Sequence, residues 1–172
     1  MAEQIAKGIV KLGEDFTQHR VQGWVPHAAS RGMDPSLDVP LISHVHEGLW
    51  QGGCMHGVVL PADFDLVLSL YPWEQYTLTG KTKRHEVKLY DSLDQEVDAI
   101  DGLADLVVRQ LEKNQTVLVH CQAGLNRSGL VAAVVLVKLG FTPDDAIRKL
   151  RESRCELVLS NEAFENHVRS LA

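Results

Sequence analysis

The segment from Thr116 to Leu139 constrains the fold more than any other stretch of this 172-residue chain. It opens with the apolar, largely β-branched run Thr116-Val117-Leu118-Val119, the mark of a strand buried on both faces at the centre of a sheet. It ends in an apolar helical run, Ser128 to Leu139, stopped by Gly140. Only His120-Cys121-Gln122-Ala123-Gly124-Leu125-Asn126-Arg127 stand between the two. A central strand that turns at once into a buried helix belongs to a parallel sheet with helical crossovers.

The rest of the chain agrees with that frame. Asp65 to Leu70 and Glu86 to Tyr90 read as strands, and Ile42 to Trp50 as short strands broken near Glu47-Gly48. Val97 to Lys113 repeats apolar residues at a helical period, at Val97, Ile100, Leu103, Ala104, Val107, Val108 and Leu111. Thr142-Pro143-Asp144-Asp145 is a helix start with an N-cap, a first-turn proline and two acids; that helix runs to about Ser153. A last helix begins at Ser160 or Asn161. Ile5, Ile9, Val10 and Leu12 predict an amphipathic helix within residues 3–20, and Gly23 to Pro40 reads as an irregular connection. The alternation predicts one α/β domain: a central, mixed, mostly parallel sheet flanked by helices. Ligands in such sheets bind beyond the carboxyl ends of central strands, where Cys121 stands.

Composition adds exclusions. Apolar residues make up 45% and charged residues 23%, ordinary for a globular domain. The longest apolar stretch, Leu130 to Val137, is too short to span a bilayer, so membrane insertion is not expected. The N-terminus lacks a basic segment followed by an apolar one, which argues against a secretory signal. Cys54, Cys121 and Cys155 are an odd number without a CxxC pair, arguing against a disulfide scaffold and for a reducing cytoplasm. A net charge of −6 argues against nucleic acid as a partner.

The loop itself carries chemistry. A phosphoryl group has three non-bridging oxygens and two negative charges, so it needs several donors converging from one side. A loop entering a helix supplies main-chain N–H groups and the positive end of the helix dipole. Residues Gln122, Ala123, Gly124, Leu125 and Asn126 would form that cradle, with Gly124 permitting the tight turn. Arg127, six residues after Cys121, adds a planar fork that grips two oxygens and stays charged. The same positive field favours the Cys121 thiolate, which attacks phosphorus in line to give a cysteinyl-phosphate. Ser128 is placed to donate to the departing sulfur, and His120 to order the loop through main-chain bonds. No cofactor or metal is required. His44, His46 and His56 lack a carboxylate or further histidine at ligand spacing. Cys54 is either a small buried residue or a redox partner of Cys121. Trp73 and Tyr76 either border the cleft or pack in the core.

His120-Cys121-x5-Arg127-Ser128 resembles the signature of the cysteine-based protein tyrosine phosphatase superfamily, and the apolar helix after it fits the dual-specificity branch. Thr142-Pro143-Asp144-Asp145-Ala146-Ile147, Arg154 and Ser160-Asn161-Glu162-Ala163-Phe164 are similar to that branch's closing helices, and Leu49-Trp50-Gln51-Gly52-Gly53 to its early strand and turn. The likeness covers residues 42–172. It implies a catalytic domain over residues 41–172, an N-terminal extension over residues 1–40 packed on or near it, and a phosphorylated protein as substrate. It implies that Asn161 braces the loop. It also implies a general acid, an Asp in a loop after a strand. Asp91 follows Val87-Lys88-Leu89-Tyr90 and lies 30 residues before Cys121; Asp94 shares its loop. Strand geometry favours Asp91, while Asp94 suits the cap of the following helix. The alternatives are related activities. Gly124-Leu125-Asn126-Arg127 is similar to the loop of RNA 5′-triphosphatase relatives. Phosphoinositide phosphatases commonly carry Lys in the loop, and here its middle is uncharged. A phosphate-binding pseudoenzyme would have no need of both Cys121 and Arg127.

Overall fold

The computed structural model describes residues 18–171. Among them run β1 (Arg20–Trp24), α1 (Pro26–Ser30), β2 (Ser36–Pro40), β3 (Ile42–His46), β4 (Leu49–Gly52), β5 (Leu66–Ser69), β6 (Lys83–Glu86), α2 (Ile100–Glu112), β7 (Val117–His120), α3 (Arg127–Lys138), α4 (Pro143–Ser153) and α5 (Glu162–Arg169). The five-stranded sheet has the order β3-β4-β7-β5-β6, and only the β3–β4 pair is antiparallel. The β-branched run therefore takes the central place, as its burial on both faces requires. Val117 and Val119 face one apolar cluster, shared with α2, α3, α4 and α5. Leu118 faces a second, closed by Phe64, Leu60 and Tyr76 from the connections beside β5. Every residue of α3 from Arg127 to Leu136 is buried, because α2, α4 and α5 surround it.

The helix ends follow their capping chemistry. Thr142 Oγ1 accepts from Asp145 N at 3.1 Å and Asn161 Oδ1 from Phe164 N at 3.3 Å. The parallel strands β4, β5 and β7 all end at one edge of the sheet. They deliver Gly52-Gly53, Leu70-Tyr71 and Cys121 to the same place. No helix among the described residues is long and apolar enough to cross a membrane.

Two expectations change, and a third falls largely outside the described residues. Residues 23–40 are not irregular: β1 and β2 pair antiparallel in a separate two-stranded ribbon around α1. Polar composition hid the alternation by which Leu37 and Val39 reach the core beside Val25 and Ala28. The strand expected over residues 86–90 lies earlier, at Lys83–Glu86, as a polar edge strand. Its partner β5 ends at Ser69, and beyond it Val87 N to Ser69 O and Leu89 N to Leu70 O are the main-chain bonds to the sheet among the described residues. Asp91 thus sits farther past the strand end than the apolar alternation suggested. Of the helix expected over residues 3–20, residues 3–17 fall outside the described residues, and Arg20 already belongs to β1.

Candidate active site

The loop joining β7 to α3 is held from behind by its own carbonyls. Cys121 O accepts from His120 Nδ1 at 3.1 Å, Gln122 O from Cys54 N at 3.0 Å and Ala123 O from Arg154 Nη2 at 3.0 Å. Gly124 O accepts from Arg154 Nε at 2.7 Å and Gln51 Nε2 at 3.1 Å. Leu125 O accepts from Leu159 N at 3.2 Å and Asn126 O from Leu130 N at 2.8 Å. In a trans peptide the N–H points opposite to the C=O, and the chain has no cis bond among the described residues. Carbonyls tied outward therefore turn the N–H groups of residues 122–127 to the other side, at the positive end of α3. A concave row of amides at a helix start is an anion site. Gly124 makes the wrap possible: its φ is +77°, and a Cβ there would lie 2.4 Å from Gly52 C and 2.5 Å from Gly53 N.

Arg154, which sequence reasoning assigned no role, is the clamp. Besides the two loop carbonyls, its guanidinium donates to Pro40 O at 2.8 Å, Ser43 Oγ at 3.1 Å and Leu41 O at 3.4 Å. It is buried, and loss of hydration lowers its basicity from the usual arginine value. Arg154→Met would strand several buried carbonyls. Each costs about 1–3 kcal/mol, so stability is expected to fall by about 3 kcal/mol. That corresponds to a drop of about 10 °C in a thermal melt; an unchanged melting temperature would contradict the clamp.

Cys121 is 2% exposed, and its Sγ lies 3.3 Å from Ser128 Oγ, whose hydroxyl also accepts from Gln51 Nε2 at 3.2 Å. Gln51 is a second residue that sequence reasoning left without a role; a buried polar side chain on a central strand was its only signal. Arg127 is buried, with Nη1 donating to Leu89 O at 3.3 Å and the guanidinium 4.9 Å over the Tyr71 ring. Its Nε has no partner within the described residues and is a buried donor facing the need for an acceptor.

Asp91 is drawn to the loop by side chains from three elements. Asn126 Nδ2 donates to its Oδ2 at 3.1 Å, Asn161 Nδ2 to its Oδ1 at 2.9 Å, and His27 Nε2 lies 3.1 Å from Oδ1. Asn126 and Asn161 are joined further: Asn161 N donates to Asn126 Oδ1 at 2.8 Å, so the α5 cap residue also spans the loop. The Asn126 side chain, almost fully buried, is thus spent on protein partners. Asp94 is exposed and borders a separate hollow with Tyr90, Ser92, Gln95 and Glu96.

His120 is fully buried, its ring edge-on to Tyr76, and burial pushes its pKa down to about 4, so it is neutral. Tyr76 is core rather than rim: its hydroxyl donates to Gly53 O at 2.7 Å. Burial, reinforced by the Glu74 carboxylate, pushes the Cys54 thiol up to about 12, leaving it a thiol at neutral pH. His44 and His46 pack edge-on against Trp50 and Phe141. No group of three metal-ligating side chains forms among the described residues. Trp73 stacks with Tyr71 and Tyr90 outside the cleft lining.

Cys121, Arg127, Asp91 and the loop residues 122, 123, 125 and 126 line one cleft of about 640 Å³. Residues 20–26, including the largely exposed Trp24, wall the same cleft together with Met55, His56 and Glu74.

Residues 61–171 match the family model described as the dual specificity phosphatase catalytic domain. No curated protein matches the chain. Among solved structures, a mouse putative dual specificity phosphatase complexed with zinc tungstate is 17% identical with a TM-score of 0.66, over 76% of this chain and 87% of that one. The human tyrosine phosphatase-like serine/threonine/tyrosine-interacting protein is 16% identical with a TM-score of 0.64, over 74% and 93%. OH1 from the Orf virus, described as a tyrosine phosphatase with triple substrate specificity, is 19% identical with a TM-score of 0.57, over 74% and 83%. These likenesses concern the fold.

Proposed function

The chain belongs to the dual specificity phosphatase catalytic-domain family, and we propose that it hydrolyses phosphotyrosine in proteins through a cysteinyl-phosphate. The carrying observation is the loop whose carbonyls are all tied outward around Cys121, with Arg127 beside it. Phosphate oxygens would take the loop N–H groups and the Arg127 fork. The Cys121 thiolate forms the S–P bond as the P–O bond to the leaving group breaks, and the leaving oxygen takes a proton from Asp91. Water then attacks phosphorus and gives its proton to the Asp91 carboxylate. The S–P bond breaks, and the Ser128 hydroxyl donates to the returning thiolate. The products are the alcohol or phenol and inorganic phosphate.

The wall formed by residues 20–26 supports the choice of substrate. It flanks a buried nucleophile, so a long, flat phenyl phosphate reaches the sulfur more readily than a short seryl one, and Trp24 offers an aromatic face. The buried engagement of Asn126 counts against a role for that side chain in reading RNA. The test is a panel of phosphotyrosyl and phosphoseryl peptides, a phosphoinositide and triphosphate-ended RNA. The phosphotyrosyl peptide is expected to lead in kcat/KM by about tenfold or more. A lead for the lipid or the RNA would overturn the substrate class.

A further inference from the structure

We propose that His27 is a positioning residue for the general acid, supplied to the site by the short helix α1. The inference rests on the reading of Asp91 as that acid. His27 lies outside residues 61–171, the part of the chain that matches the family model. Its Nε2 is 2.9 Å from Asp91 O and 3.1 Å from Asp91 Oδ1. A carbonyl only accepts, so Nε2 carries the proton and donates to Asp91 O, with Oδ1 close beside the same nitrogen. One ring bonded to a residue's main-chain carbonyl and lying against its carboxylate holds the side chain beside its own backbone and restrains its rotamer.

The other two donors leave a consistent division of labour. Oδ1 accepts from Asn161 and has His27 3.1 Å away, whereas Oδ2 takes only Asn126. Oδ2 therefore keeps a site for the proton that is passed to the leaving oxygen. The helix that carries His27 is itself anchored. Arg31 pairs with Glu165 at 2.8 Å and donates to Ser160 O at 3.2 Å, so α1 is fastened to the same turn that presents Asn161. Val25 and Ala28 seat it in the core. Without His27, Asp91 keeps its amide donors but loses one restraint on its rotamer, and a carboxyl even slightly misplaced transfers its proton poorly.

The defect must then scale with how much the leaving group needs a proton. Two variants separate this from a packing effect. His27→Phe keeps the ring volume without a donor, and His27→Gln keeps an N–H at similar reach. Both are assayed, with Asp91→Asn beside them, on phenyl phosphate and on 2,4-dinitrophenyl phosphate, whose leaving group departs without help. Thermal melts accompany each assay. His27→Phe is expected to lower kcat on phenyl phosphate by about tenfold, to leave 2,4-dinitrophenyl phosphate within about twofold, and to leave KM unchanged. His27→Gln is expected to restore most of the loss. Equal losses on both substrates, or none, with Asp91→Asn still selective for the poor leaving group, would overturn the role of His27 alone. An Asp91→Asn loss that ignores the leaving group would overturn the acid assignment and the His27 role with it.

Discussion

Cys121→Ser is expected to abolish turnover, by on the order of 10⁴-fold or more. The two nucleophiles differ by one atom and also in availability. A thiol becomes a thiolate readily at a helix N-terminus beside a guanidinium, whereas a hydroxyl there keeps its proton without a neighbouring base. The Ser128 hydroxyl, 3.3 Å from the sulfur, is no base, and His120 directs Nδ1 at the Cys121 carbonyl. The anion cradle is built from main-chain amides, so the variant is expected to keep binding inorganic phosphate. Rapid acid quench of the wild-type protein during turnover should trap phosphate on Cys121. Turnover that survives the substitution would remove the covalent mechanism.

Asp91→Asn is expected to cost about 10²–10⁴-fold in kcat on substrates with poor leaving groups, the range for a positioned general acid. Asp94→Ala is expected to stay within about twofold, since surface substitutions away from a site rarely matter. The structure gives these neighbours in one loop different surroundings. Asp91 lines the cleft with Cys121 and Arg127, while Asp94 faces outward beside Gln95 and Glu96. The asparagine carries a second consequence. Both Asp91 oxygens accept N–H bonds, so either orientation of an amide sets its NH₂ against a donor from Asn126 or Asn161. A small fall in melting temperature is therefore expected with the loss of activity. A larger kcat defect in Asp94→Ala than in Asp91→Asn would reverse the assignment.

Much of the core architecture was legible because its signals are local. The central strand announces itself by continuous burial, α3 by an apolar run from Leu130 to Leu136, and α4 by Thr142 and Pro143 at its start. Two segments were misread because polar residues dominate them. The β1–β2 ribbon exposes most of its surface, and β6 is an edge strand whose outward positions are Lys83, His85 and Glu86. In such strands pairing, rather than hydrophobic pattern, decides the conformation.

The loop between β7 and α3 is legible in the chain alone, as a buried strand, a tight turn at Gly124 and Arg127 at the helix start. The sequence also determined the caps at Thr142 and Asn161, whose bonds close within a few residues. Tertiary structure alone decided what holds and walls that loop. Arg154 meets Pro40, Gln51 meets Gly124, and His27 meets Asp91 across separations of 114, 73 and 64 residues. A buried donor matched to a distant carbonyl has no periodicity and no spacing rule, because only the folded chain brings the two together. The same reason put the wall formed by residues 20–26 beyond the reach of local pattern.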